Sequence, residues 1–132
     1  MRSLVLFLVG LAVGAIAAVL VVNAINRGPH YDTAVMTVMA QHMKAIDHSL
    51  KANRCATTDI GPHLQTLRLV ANDIEPAFAD MQDDAQFGRY ASQLRAAADG
   101  ALQAPPASCA AAGAILSKLD KACDACHRDY RN

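Results

Sequence analysis

Beyond residue 30 the sequence holds only five aromatic residues, Tyr31, Phe78, Phe87, Tyr90 and Tyr130. Nowhere does it show the alternation of apolar and polar residues that marks a half-buried strand. A sheet-based fold is not expected. Twelve basic residues balance twelve acidic ones, so no charge excess points to nucleic acid or to an acidic partner. With 132 residues there is room for one domain of ordinary size. What the chain has in quantity is apolar surface, first as a continuous run and then as helical stripes.

Leu4 to Val22 is an unbroken run of apolar residues and glycines, extended by Asn23-Ala24-Ile25 before Asn26-Arg27-Gly28-Pro29. A signal-peptide core is about 7–15 residues long, whereas a membrane-spanning helix needs about 20. The run fits an anchor better. Val22-Asn23-Ala24 also resembles a small-residue cleavage site, so the alternative is a removed secretory signal; either way the remainder is exported. The sequence therefore divides into an N-terminal anchor at 1–26, a linker at 27–30 and a helical domain at 31–132.

From Tyr31 onward the periodicity predicts four amphipathic helices. The first, about 31–53, aligns Met36, Met39, Met43, Ile46 and Leu50, with Lys44, Asp47 and Lys51 off the stripe. Thr57-Thr58-Asp59 offers caps for a second helix that starts near Pro62, a favoured early position. Its stripe is Leu64, Leu67, Ala71, Ile74 and Phe78, and Pro76 kinks or finishes it. A third, about 83–103, buries Phe87, Tyr90, Ala91, Leu94, Ala98 and Leu102. After Pro105-Pro106, Ser108 caps a fourth helix with Ala112, Leu116, Leu119, Cys123 and Cys126 on one face. Short connections favour antiparallel neighbours. The expected fold is all-α: an antiparallel up-down-up-down four-helix bundle preceded by an N-terminal transmembrane helix.

The last ten residues bear the chemistry. Cys123-Asp124-Ala125-Cys126-His127 is CxxCH, the attachment motif of c-type haem. Positions i and i+3 share a helix face, so both thiols can reach vinyl groups of one haem and bond to them as thioethers, leaving His127 beside the ring as a neutral imidazole ligand. Three other readings compete. A thioredoxin-like CxxC belongs near a βαβ pattern, which is missing. A structural zinc site needs a second ligand pair, and Cys55 and Cys109 stand alone. The third is a chance match between two core cysteines and a histidine.

In an up-down-up-down bundle, the end of the first helix meets the start of the fourth. Cys55 and Cys109 then come together, and a disulfide there suits an oxidising compartment, adding about 4 kcal/mol in the chain-entropy model; two buried free thiols are the alternative. Cys55 is nineteen residues from Met36 and Cys109 eighteen from His127, offsets of nearly equal length at about 1.5 Å per residue. Met36 should face His127 across the haem, with Met39 as the backup, although a methionine stripe is also ordinary core filler. All five aromatics map to the haem end. His30, His42, His48 and His63 read as solvated.

Cys123 to Arg131 on a fourth helix, with Tyr31 to His42 on a first, resembles the cytochrome c′ family, including its low-spin methionine-ligated relatives. The resemblance covers roughly 31–132, and CxxCH near the C-terminus is its specific part. It implies His127 as proximal iron ligand, Cys123 and Cys126 as thioether sites, Arg131 as the basic residue close to the proximal face, and Met36 over the distal face, where in the low-spin relatives a methionine binds iron. Asp32 departs from the family, which often has an arginine near a haem propionate there. The anchor also departs from the usual soluble, often dimeric member.

These observations predict one covalent haem c per chain and two contending functions. The first is periplasmic electron transfer at the membrane surface through a His127/Met36 haem, with membrane or periplasmic redox proteins as partners. The second is a five-coordinate haem that binds nitric oxide or carbon monoxide, in gas sensing or scavenging. An enzyme such as a peroxidase would want a distal acid-base residue, and none is evident in the sequence. The expected location is the bacterial inner membrane, single-pass, with the haem domain in the periplasm and its haem end near the bilayer; a homodimer is compatible with the resemblance.

Overall fold

The computed structural model describes residues 2–26 and 30–131. They are helical throughout, with no strand among them, and separate into one unit up to His30 and another from Tyr31. The linker expected at 27–30 lies outside the described residues except for His30.

The first unit is α1, Arg2–Asn26. Its 25 residues rise about 37 Å at about 1.5 Å per residue, more than the roughly 30 Å hydrocarbon core of a bilayer. Its large apolar side chains are exposed all round. A helix that is apolar on every face is suited to lipid, and α1 is long and apolar enough to cross a membrane.

The second unit begins with α2, Tyr31–Lys51. It ends two residues short of the expected 53 because Asn53 turns left-handed, with φ of 56°. Arg54 N–H donates to the Ser49 carbonyl and Asn53 N–H to that of Leu50, a Schellman closure that satisfies carbonyls the helix would otherwise strand. Asn tolerates this conformation better than other residues with a Cβ.

The next helix, α3, runs Thr57–Val70. It starts five residues before Pro62, not at it, so Thr57, Thr58 and Asp59 form its first turn, and Ala56 precedes them without a side-chain cap. Asp59 is placed where the helix dipole favours negative charge. A single 3₁₀ turn, Ala71–Asp73, follows, and then α4, Ile74–Ala77. Pro76 explains the break: it has no N–H for the Asn72 carbonyl, and its ring crowds that turn. Arg95 bridges the discontinuity by donating Nη1–H to the Ala71 carbonyl at 3.1 Å while clasping Glu75 with two bonds of 2.7 Å.

Helix α5 is Ala85–Gln103, capped by Asp84, whose Oδ1 accepts from the Gln86 and Phe87 amides. Helix α6 is Cys109–Tyr130, and the Ser108 hydroxyl accepts from Ala111 N–H as the sequence predicts. α2 packs on α3 and α6, and α5 also packs on α3 and α6. The core they enclose centres on Ile46, Ile60, Leu64 and Leu119. The stripes largely hold, with Val35, Ile60, Ala97 and Ala101 as buried additions. Cys55 and Cys109 are joined as a disulfide, with Cα atoms 5.0 Å apart.

Candidate functional site

Cys123, Cys126 and His127 occupy the last two turns of α6 and are all half-buried. Their spacing of three and four puts them on one face. That face borders a cavity of about 320 Å³, whose opposite wall is Met36, Met39, Ala40 and Met43 from α2, with Ile74, Ala91 and Leu94 completing the apolar lining. A second cavity of about 640 Å³ lies beside it, bordered by Asp32, Met36, Phe78, Phe87, Tyr130 and Arg131. Met36, Ala40, Cys126 and His127 border both. Each volume falls within the range of about 300–1,000 Å³ typical of small-molecule and cofactor sites.

Thus Met36, Cys123, Cys126, His127 and Arg131 are brought to one region, although not all to one cavity. Met39 is more deeply buried than Met36, with 5% of its surface exposed, and sits in the core cluster that Met36 and Met43 pack against. Arg131 is exposed at the edge of the second cavity, whose lining also contains Asp32. Four of the five aromatics form one cluster, Phe78, Phe87 and Tyr130 bordering the second cavity and Tyr90 the first: Phe78 and Phe87 have ring centroids 5.5 Å apart, Phe87 and Tyr130 5.3 Å, and Tyr90 and Tyr130 6.2 Å. Tyr31 does not join them; it is 53% exposed.

Two phenols that border the cavities, Tyr90 and Tyr130, tie α5 to α6. Tyr130 O–H donates to Asp84 Oδ2 at 2.6 Å and Tyr90 O–H to Asp129 Oδ2 at 2.5 Å, so the start of α5 is held to the end of α6. Asp84 thus caps α5 with one oxygen and receives Tyr130 with the other. The Tyr130 bond, then the Gln86 and Phe87 amides, hold the Asp84 carboxyl below its ordinary value, and the Tyr130 hydroxyl is pushed up to about 12, chiefly by Asp84.

Both thiols are free and resist ionisation. Burial, followed by the charges of Asp120 and Asp124, pushes Cys123 up to about 11; burial and Asp129 raise Cys126. A dithiol built for disulfide exchange has the opposite character, with a lowered pKa and often a place at a helix N-terminus. These thiols stand near a C-terminus, where the dipole disfavours thiolate. The zinc alternative finds no support either, since no cluster of three or more His, Cys, Asp or Glu suited to a metal occurs among the described residues.

The donor set fits a c-type haem: two free thiols one turn apart, an adjoining imidazole, and an apolar wall with aromatic side chains beside it. Two features were not anticipated. Lys44, Asp120 and Asp124, none of them on an apolar stripe, border the first cavity and give it a polar rim. His42 and His63, expected to be solvated, instead meet with Nδ1 atoms 2.9 Å apart. No family model, curated protein or solved structure matches the chain.

Proposed function

We propose that this chain is a membrane-anchored, cytochrome c′-like protein that holds one haem c covalently and serves electron transfer at the periplasmic face of a bacterial inner membrane. The observation behind this reading is the convergence of Cys123, Cys126 and His127 on cavities whose facing wall contains Met36. An antiparallel up-down-up-down four-helix bundle accounts for two pairings at once: the end of α2 with the start of α6 through Cys55 and Cys109, and the start of α2 with the end of α6 through Met36 and His127.

Cys123 and Cys126 would tether the cofactor, each S–H adding across one vinyl group so that sulfur takes one carbon and the proton the other. His127 would bind the iron from one side through a ring nitrogen. Met36 is the candidate for the other side, where a thioether ligand favours the reduced state and raises the potential. Haem supplies the one-electron couple when bound. The apolar side chains around it would exclude water, while the Tyr130–Asp84 bond ties α5 to α6 beside it. Arg131 would place positive charge at the second cavity.

A second reading, binding of nitric oxide or carbon monoxide to a five-coordinate haem, rests on the same Met36. If its thioether acts only as wall, His127 is the sole protein ligand and the facing methionines form an apolar pocket for a small uncharged gas.

The deciding experiment uses the full chain produced with haem-attachment machinery. Haem should stay with the denatured polypeptide in wild type and be lost from Cys123→Ala/Cys126→Ala. Loss of covalent haem from wild type as well would overturn the proposal. Optical spectra, oxidised and reduced and with carbon monoxide, then separate the two readings. A low-spin spectrum with a methionine–iron band that disappears in Met36→Ala selects electron transfer. A high-spin spectrum that shifts with carbon monoxide and is unchanged by Met36→Ala selects gas binding.

A further inference from the structure

His42 on α2 and His63 on α3 are 21 residues apart in sequence, yet their Nδ1 atoms stand 2.9 Å from each other. The rings are tilted by 52°, with centroids 5.2 Å apart, so the two nitrogens face one another across the interhelical groove. Both residues are half-buried. Neither borders the cavities near His127, and the pair is therefore distinct from the candidate haem site.

Two neutral imidazoles can face in this way only if a proton lies between the nitrogens or if both lone pairs are directed at something else. Imidazole nitrogens bind borderline first-row cations at about 2.0–2.1 Å, and two such ligands meeting at angles from a right angle to tetrahedral stand about 2.9–3.4 Å apart. The observed separation lies at the lower edge of that range, but the centroid distance puts both lone pairs on the line between the nitrogens, so a cation replaces the shared proton once each ring turns by about 45° about its broad χ2 torsion. The scaffold is fixed on both sides: the Asn53 turn and the Cys55–Cys109 disulfide close the α2–α3 connection, and Ile46, Ile60, Leu64 and Leu67 belong to the core these helices share.

We propose that His42 and His63 form a bis-imidazole site for a divalent first-row cation, with Cu(II) the preferred ion. Copper(II) binds nitrogen ligands most tightly in this series. No cluster of three or more candidate metal ligands occurs among the described residues, so water would fill the remaining positions and the site would be open and exchangeable.

The test adds copper(II) chloride to the purified full chain, with affinity measured by competition against a chelator and ligands by electron paramagnetic resonance. One equivalent should bind with hyperfine structure from two nitrogens. His42→Ala and His63→Ala should each weaken binding at least tenfold and reduce the signal to one nitrogen, whereas His48→Ala should change neither. His42→Gln and His63→Gln serve the same purpose if an alanine variant fails to retain its helical circular dichroism. Cys123→Ala/Cys126→Ala should bind copper as wild type does, which separates this site from the haem reading. Absence of stoichiometric binding, or binding that both histidine substitutions leave intact, overturns the proposal.

Discussion

Around Cys55 and Cys109 the chain is closed by a covalent bond and by the backbone turn at Asn53; around Cys123, Cys126 and His127 it borders cavities beside which phenol–carboxylate hydrogen bonds join α5 to α6. One pair of cysteines is consumed in structure, and the other is left free on an apolar wall. The contrast shows how a small helical domain can keep open space away from its covalent closure. The segment after α2 is bonded to the start of α6, whereas the start of α2 and the end of α6 face each other across a cavity. Regions that bind ligands are commonly drawn from the less stable parts of a fold.

Breaking the closed side should have the largest effect. Cys55 and Cys109 are separated by 54 residues, and in the chain-entropy model a loop of that size contributes about 4 kcal/mol. Cys55→Ser/Cys109→Ser should lower the unfolding free energy of the full chain by about that amount in a urea titration. Retention of covalent haem by the same variant would show that the two regions are independent; its loss would show that the cavity depends on the far closure.

A smaller effect is expected where α5 supports the cavity wall. Arg95 clasps Glu75 in α4 and the Ala71 carbonyl, beside Ile74 of the lining. Their side chains are 23% and 29% exposed, so the ion pair is partly desolvated and partly screened. Arg95→Ala should destabilise the domain by about 2 kcal/mol, measured by urea unfolding, and should weaken the acid dependence of stability. Glu75 is held below its ordinary value mainly by Arg95, so its contribution is present above the ordinary carboxylate pKa and disappears as pH falls through the lowered one.

The smallest effect concerns the Tyr130–Asp84 tie and appears as pH dependence. The Tyr130 hydroxyl moves from an ordinary value of 10.0 to about 12. Its neutral form is the one stabilised by folding, so the contribution is complete below the ordinary value and is lost as pH rises to about 12. Asp84 has the opposite sign, contributing above its ordinary value and losing that contribution in acid. Tyr130→Phe should flatten the alkaline limb of a stability-against-pH curve from thermal unfolding. An unchanged limb would mean that the Tyr130–Asp84 tie between α6 and α5 contributes nothing to stability.

Much of the helical framework was legible in the sequence. Ser108 caps α6, the stripes centred on Ile46, Leu64, Leu94 and Leu119 are buried, and the length and apolarity of α1 suit a span. The pairing of Cys55 with Cys109 followed from short connections. By contrast, starting the second helix near Pro62 put His63 at a solvated end, whereas α3 begins at Thr57 and places His63 in the helix body opposite His42. Tyr31 was assigned to the aromatic group by its axial height alone, and the structure leaves it exposed.

The sequence by itself determined which residues share a helix face, because spacing of three and four follows from 3.6 residues per turn; this is why Cys123, Cys126 and His127 can be placed together without knowing any neighbour. Only the tertiary structure decided which faces meet. One residue of rotation turns a side chain by about 100° and one turn of axial slip moves it about 5.4 Å, and these two quantities are set by packing between helices. The His42–His63 contact, the Tyr130–Asp84 bond and the cavity between Met36 and His127 all depend on them.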